Sequence, residues 1–501
     1  MSAPTLLARA DGSVAIGTGH VMRCLGLAQA WQDAGGAVVF AMVQPWPTLV
    51  QRLEAEGITV VGMSAESGSV HDAAQFAELA KSHLATWVVV DGYQFKPDFQ
   101  RSLKGAGLKV LFIDDNGEGG TYYSDIVLNQ NLYASEDSYI RRESYTRLLL
   151  GSRYAMLRRE FTRWRGWKRR ISGSGNKVLV SMGGSDAGNL SEKVIDALGM
   201  LDSSEIEARV IVGSSNPHLT ALQCAVSRCG RVIEIHQNPS NIPELMAWAD
   251  VAISAAGSTC WELCFFGLPS LLMDVAENQR GIARSLEERG VAEYLGFGAE
   301  VSPAQIAGGL KKLLLSPEPR AAMSQRSQQL VDGRGAERVV AVLRGSSVRL
   351  RRAEEADCLL LWKWSNEPEV RAVSFSSEPI PWTDHERWFV ERLGDPNSLL
   401  YVALDSGDRA IGQVRFQLKD GHAIVSIVLA SEFRGQGYGK IVLAKAQEEV
   451  FASAGVTCID AYVKPDNEAS LRLFAEAGFK QGRAVAVRGH EAIHFVAERN
   501  R

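Results

Sequence analysis

Short runs of purely apolar residues, each followed by a turn or a helical stretch, fix the architecture of the larger part of the chain. "TLLARA", "AVVFAMV", "TWVVVDG" and "LKVLFIDD" read as strands, and "GHVMRCLGLAQAWQDAG" reads as the helix after the first. Parallel strands joined by crossover helices are buried on both faces, which is why they run apolar without alternation. The last two of these strands each end in a carboxylate. "TRWRGWKRRISGSGNK" (162–177) is basic, then Gly/Ser-rich, and reads as a linker. The pattern then restarts with strand "KVLVSM", turn "GGSDAGN" and helix "LSEKVIDALGM". Strands "ARVIVG", "VIEIH", "DVAIS" and "PSLLM" follow. Two such units in series leave a cleft between them, and their ligands bind at the carboxyl ends of the strands.

A second boundary falls at "VLRGSSVRLRRAEEAD", near residues 343–350. Beyond it "LLYVAL", "RAIGQVRFQL" and "HAIVSIVL" read as antiparallel strands, followed by a Gly-rich turn, a helix, strand "CIDAYV" and helix "EASLRLFAEAG". The expected domains are therefore 1–165 and 176–343, both Rossmann-like, and 347–501, an α+β unit. A chain of 501 residues is too long for one core, which agrees with this division. The net charge of −4 does not favour a nucleic-acid or anionic-membrane role. No apolar run reaches the ~18 residues of a membrane span, and the start lacks a basic-then-apolar leader. The seven cysteines are scattered without a CxxC, which suits reduced thiols in a cytoplasm. Cys260 and Cys264 have no His or carboxylate spaced to complete a zinc site, so no metal is expected.

In "AIGTGHVMRCLGLA" (15–28) Gly17 and Gly19 precede a helix beginning near His20. Exposed amides there suit an anion, but the stretch is not GxGxxG, and a tight turn needing positive φ explains the glycines equally. His20 sits where a helix start repels a cation, and a general base must be a neutral imidazole. The alternative is a helix-capping histidine. Asp11 could orient it, and Arg23, one turn on, could meet negative charge in the cleft or make a salt bridge.

"ADVAISAAGSTCWELCFFGLPSLLMDVAENQ" (249–279) is more specific. A strand leads into Gly257, Ser258 and Thr259, whose hydroxyls and free amides can hold a diphosphate at a helix start. Glu262 could accept bonds from ribose hydroxyls or act as a capping carboxylate. Asn278 and Gln279 suit a sugar, or are plain loop polars. This run resembles the nucleotide-sugar site of GT-B glycosyltransferases, most closely the MurG group. Together with "RADGSVAIGTGHVMRCLGLA", "FIDD", "VLNQN" and "SMGGSDAGN", residues ~4–340 resemble the UDP-sugar hydrolases of pseudaminic acid biosynthesis. The resemblance implies a GT-B-like pair of domains and metal-free removal of UDP from UDP-2,4-diacetamido-2,4,6-trideoxy-β-L-altropyranose. It places the catalytic histidine on His20, with Gly17 and Gly19 beside sugar and phosphate. Ser258, Thr259 and Glu262 fall on the UDP-binding turn, and Asn278 and Gln279 on the ligand-facing loop. The residues leave open which bond of the phosphoester breaks; the resemblance implies carbon–oxygen cleavage with inversion.

In the last domain Arg434-Gly435-Gln436-Gly437-Tyr438-Gly439 lies between strand and helix. Successive amides at a helix start form a nest for pyrophosphate, whereas a Gly-rich hairpin turn is the plainer reading. "NEASLRLFAEAGF" puts Asn467 and Ser470 at a helix start. These elements resemble the GNAT acetyltransferases over residues ~347–498, which implies that acetyl-CoA binds through Val428, residues 434–439, Lys440, Asn467 and Ser470. Phe474 stands where many members have a proton-donating Tyr, so either Tyr462 or solvent serves or the chemistry is weakened. His422 and Glu432 are candidate bases or plain surface residues. Trp382, His385 and Trp388 could stack on an acceptor with Arg371 on phosphate, or, like Trp362 and Trp364, could be core.

The combined expectation is an acetyltransferase acting on the 4-amino group of a UDP-4-amino-4,6-dideoxy-sugar, fused to a hydrolase releasing UDP from the product. The alternatives are a glycosyltransferase fused to another acetyltransferase, and a C-terminal domain that binds ligand without turnover.

Overall fold

A computed structural model describes residues 3–13, 17–117, 120–202, 205–213, 215–344, 348–405, 409–435, 438–452 and 455–499. Two compact units divide the chain, Met1–Val340 and Ala341–Arg501.

The first unit holds two parallel sheets. Strands β1 (Thr5–Ala10), β2 (Ala37–Val43), β3 (Thr59–Met63), β4 (Ala85–Asp91), β5 (Val110–Ile113), β6 (Ile126–Asn129) and β7 (Arg147–Leu150) form one, in the order β3-β2-β1-β4-β5-β6-β7. Strands β8 (Lys177–Ser181), β9 (Glu207–Val212), β10 (Val232–Gln237), β11 (Val251–Ala255), β12 (Ser270–Asp274) and β13 (Glu293–Phe297) form the other, in the order β10-β9-β8-β11-β12-β13. Strand order reverses beside β1 and β4 in the first sheet, and beside β8 and β11 in the second. A crevice opens at such a switch point. The central strands are buried on both faces, as their unbroken apolar sequence requires. Strands β3, β6, β7 and β13 have no counterpart among those expected from the sequence. Three of these stand at the edge of a sheet, where burial is least and the apolar signal weakest.

Residues 162–177 do not behave as a free linker. Trp164 and Trp167 pack against Phe266 with ring centroids 5.4 Å away in each case. Arg169 donates to the carbonyls of Phe266 (3.0 Å), Met246 (2.6 Å) and Ala249. The segment is thereby bound to the second sheet's helices. The chain then returns to the first sheet's side. Gly335 opens the helix Gly335–Leu343 so close to Ala155 that a Cβ there would lie 2.2 Å from the Ala155 carbonyl oxygen. Arg338 donates to the Arg153 carbonyl at 2.7 Å and Ser152 to that of Leu330 at 3.1 Å.

The second unit has one sheet, β14 (Arg349–Arg352), β15 (Ser398–Leu404), β16 (Ala410–Lys419), β17 (His422–Leu429), β18 (Cys458–Val463), β19 (Lys480–Val487) and β20 (His490–Glu498), in the order β14-β15-β16-β17-β18-β20-β19. All neighbours are antiparallel except β17 and β18. These two pair only over His422–Ile424 and Cys458–Asp460. Beyond Ile424 the edge of β17 has no ladder with β18, and its backbone groups face a wedge between the strands.

Candidate active sites

The helix Gly19–Asp33 follows β1 at the first switch point and carries His20 in its first turn. Gly17 has φ +75°, which an L side chain rarely adopts, so the tight turn does require glycine here. Gly19 is exposed and faces the second sheet's loop: a Cβ built on it would lie 3.9 Å from Ser258 Oγ. Residues 14–16 of the loop lie outside the described residues.

His20 is held by Asp91, the last residue of β4, with Nδ1 2.7 Å from Oδ1. An ionised carboxylate only accepts, so Nδ1 carries a proton, and in the neutral ring Nε2 presents the lone pair. Arg23 grips the same carboxylate twice, Nε to Oδ2 at 2.5 Å and Nη2 to Oδ1 at 2.6 Å. Burial alone would raise the Asp91 carboxyl; Arg23 and His20 outweigh it and hold the group well below the usual carboxylate range. Arg23 also donates to Asp115 Oδ1 at 2.6 Å. Tyr93 donates to Asp115 Oδ2 at 3.1 Å and lies edge-on to His20, ring centroids 5.0 Å apart.

Contrary to expectation, Asp11 does not orient His20. Its Oδ1 accepts from Arg9 Nη1 (2.6 Å) and the Val43 amide (2.8 Å), and its Oδ2 from Ser67 (2.6 Å) and Gln94 (3.2 Å). The fully buried Arg9, which also pairs with Asp72, needs that counter-charge. Of the two readings of Arg23, the salt bridge is the one the structure shows. Two buried acids consume its charge, and its task is to fix them. Asp91 and Asp115 are the functional residues the sequence reading left unassigned. Their signal was the carboxylate closing an apolar strand.

The facing turn follows β11. Ser258 is exposed, caps no amide with its side chain, and precedes the short helix Thr259–Phe265. Gly257 leaves room for Gln279, whose Nε2 would stand 3.6 Å from a Cβ there. Asn278 and Gln279 lie in the first turn of the helix Glu277–Glu288 rather than in a loop. Gln279 Oε1 accepts from the Val275 amide at 3.1 Å. Asn278 Nδ2 donates to Tyr93 at 2.7 Å, so one chain of bonds runs from Asn278 through Tyr93 and Asp115 to Arg23 and Asp91. Glu262 does not stand open to a ribose. Its Oε1 accepts from the buried Arg158 at 2.9 Å, leaving Oε2 alone for a ligand. Burial pushes its carboxyl up to about 7 against the pull of Arg158.

In the second unit Gly435 has φ +69° with open space around it. Gln436 and Gly437 lie outside the described residues. Arg434 spends its guanidinium on Glu369 (2.7 Å), Glu367 and the Leu429 carbonyl (2.9 Å), so only its backbone remains for a pyrophosphate. Tyr438 is buried edge-on against Phe433, and Lys440 is exposed in the first turn of the helix Tyr438–Ala452. A Cβ on Gly439 would come within 3.3 Å of Leu473, so glycine lets this helix approach the helix Glu468–Glu476. Asn467 caps that second helix, its Oδ1 accepting from the Ser470 amide at 3.1 Å.

Phe474 is buried against Phe479 and Phe495. Tyr462 stacks on His494 at 4.9 Å. Asp460 lies between His422 Nδ1 and His494 Nε2, each 2.7 Å away. This ties His422 to the start of β17, a strand's length (~20 Å) from the Gly-rich loop. His385 is core: it is buried beside Trp388 and Phe389, with Nε2 3.2 Å from the Cys358 carbonyl. Trp364 is buried too, and Trp362 packs edge-on against Trp382.

Comparison with known proteins agrees with this layout. Residues 178–339 match the glycosyltransferase family 28 C-terminal domain, and residues 360–479 the acetyltransferase (GNAT) family. An uncharacterized protein of Methanocaldococcus jannaschii is 24% identical over 493 residues, 94% of this chain and 96% of its own length. The spore coat polysaccharide biosynthesis protein SpsG of Bacillus subtilis is 29% identical over 47% of this chain and 68% of its own. The UDP-2,4-diacetamido-2,4,6-trideoxy-β-L-altropyranose hydrolase of Campylobacter jejuni is 27% identical over 57% of this chain and 97% of its own. The chain is thus a fusion, in which a GT-B-like pair of Rossmann-like domains related to a UDP-sugar hydrolase is followed by a GNAT-family acetyltransferase domain.

Proposed function

We propose that the chain catalyses two successive steps on one nucleotide sugar. The C-terminal unit transfers acetyl from acetyl-CoA to the 4-amino group of a UDP-4-amino-4,6-dideoxy-sugar. The N-terminal unit then hydrolyses UDP-2,4-diacetamido-2,4,6-trideoxy-β-L-altropyranose to the free sugar and UDP. The observation that carries the second step is the Asp91–His20 pair, whose Nε2 lone pair stands at the switch point. The relationship to the Campylobacter jejuni enzyme supplies the substrate class.

In the hydrolysis, His20 Nε2 takes a proton from the water attacking the anomeric carbon. The carbon–oxygen bond to the diphosphate breaks, and UDP leaves with the electron pair. The imidazolium that forms is stabilised by Asp91, which also fixes the ring's orientation. The Gly257–Thr259 turn, with its free amides and two hydroxyls, holds the departing diphosphate, and Gln279 lies over it. Gly17 and Gly19 keep side chains out of the space the sugar and water need.

In the acetyl transfer, the unpaired edge of β17 offers backbone donors and acceptors to an extended thioester. Gly435, Tyr438, Gly439 and Lys440 surround the loop that would take the pyrophosphate. The amine nitrogen attacks the thioester carbonyl, the carbon–sulfur bond breaks, and the nitrogen's proton is lost to solvent. With Phe474 buried, the thiolate takes its proton from water or from Tyr462.

A glycosyltransferase is the second reading, favoured by the family 28 match. Incubation with the nucleotide sugar and no acceptor separates the two. Stoichiometric free sugar and UDP are expected; release of UDP only when an acceptor is added would establish transfer.

A further inference from the structure

A cleft of about 100 Å³ in the second unit is lined by Ser365, Arg371, Gln413, Arg415, Ser426 and Val428, among others. Among the described residues, two buried polar atoms in its wall have no hydrogen-bond partner. One is Oε1 of Gln413, a residue only 5% exposed whose Nε2 is already given to Ser365 at 3.1 Å. The other is Nε of Arg371, whose Nη2 donates to the Ser376 carbonyl. Buried polar atoms left unpaired are costly, and such sites persist where a ligand completes them. One atom asks for a hydrogen donor and the other for an acceptor.

The charge around the cleft is of one sign. Arg415 lies over the Trp388 ring, its guanidinium carbon 5.1 Å from the ring centre. Arg415 itself is exposed at the cleft, and the like charges of Arg392, Arg488 and Arg371 stand close enough to repel its own. Arg392 is balanced by Asp395 at 3.2 Å. Among the described residues, Arg371 and Arg415 have no carboxylate within ion-pair distance. Like charges are gathered this way where an anion binds between them.

Strand register orders the two ends. Gln413 sits opposite Val428 and Arg415 opposite Ser426. Gln413 is therefore nearer the end of β17 that runs into the Gly-rich loop, and Arg415 lies ~7 Å further away. That is roughly the length of one pyranose ring.

We infer that this cleft receives the acetyl acceptor as a phosphorylated amine, with the amino group donating to Gln413 Oε1 and the phosphates held by Arg371 and Arg415. The inference rests on the acetyltransferase reading and adds what selects the acceptor: an amine tied to an anion, rather than a polycation.

The test uses the full chain, acetyl-CoA and two acceptors, a nucleoside-diphosphate 4-amino-sugar and the same amino-sugar without its diphosphate. The phosphorylated amine is expected to have at least a ~100-fold higher kcat/KM. Arg371→Gln and Arg415→Gln are each expected to cut that preference ~10-fold through the acceptor's KM, with the KM for acetyl-CoA unchanged. Arg415→Lys should restore part of it. Equal kcat/KM for the two amines would overturn the inference and leave the acetyltransferase standing. Acetylation of neither would overturn the acetyltransferase reading itself. In that case calorimetric titration of inorganic pyrophosphate into the wild-type chain and the Arg371→Gln/Arg415→Gln variant decides. Loss of one binding event in the variant supports the anion site, and identical titrations overturn it.

Discussion

His20 is defined by what surrounds it. The sequence marks Asp91 and Asp115 as carboxylates closing apolar strands, but which acid meets His20 depends on strand order, and no local pattern carries strand order. Asp11, nine residues before His20, goes to Arg9, while Asp91, 71 residues after it, goes to His20. Asp91→Asn should lower UDP release ~100-fold or more, because the carboxamide loses the charge that stabilises the imidazolium. It should also destabilise the first unit by about 3–5 kcal/mol, since Arg23 remains buried with half its partners; denaturant titration reads this directly. Glu262 gives a pH dependence. Its carboxyl is raised from 4.5 to about 7, so between these values the folded chain binds more protons than the unfolded one. Stability from this group is therefore present below pH 4.5 and lost as pH rises toward 7, by about 3 kcal/mol if the shift acts alone. Glu262→Gln should flatten the stability profile over pH 5–7, and an unchanged slope would show that the group is not raised.

At the scale of elements, the alternation of apolar strand and helix was legible at most strands buried on both faces. It faded at β3, β7 and β13 on the sheet edges, and at β6, which follows β5 with no helix between them among the described residues. The stretch 162–177 reads as a linker because it is basic and Gly/Ser-rich. Its two tryptophans and Arg169 bind it down nonetheless, since three carbonyls at helix ends and a buried Phe266 offer the partners. Composition describes what a segment lacks, not what lies opposite it. The contact at Gly335 is testable in the same terms. Gly335→Ala places a methyl 2.2 Å from the Ala155 carbonyl oxygen and must shift the helix Gly335–Leu343. A loss of about 1–3 kcal/mol is expected, read as a lowered denaturation midpoint of the first unit. Gly105→Ala, with nothing within 4 Å of the added carbon, serves as the control.

The whole molecule places two chemistries on one chain, in separate compact units. Each unit carries its own polar constellation: the Asp91–His20 pair with its facing turn in one, and the wedge beside β17 with the arginine-lined cleft in the other. Because the constellations share no residue, damage to one should leave the other's reaction running. The measurement that tests the account most directly is a time course of the full chain with UDP-4-amino-4,6-dideoxy-N-acetyl-β-L-altrosamine and acetyl-CoA, followed by mass spectrometry. The wild-type chain should give an N-acetylated nucleotide sugar, then free diacetamido-sugar and UDP. His20→Asn should stop at the acetylated nucleotide sugar, with acetylation at the wild-type rate. Undiminished UDP release by His20→Asn, or UDP release with no acetylated species at any time, would contradict the account.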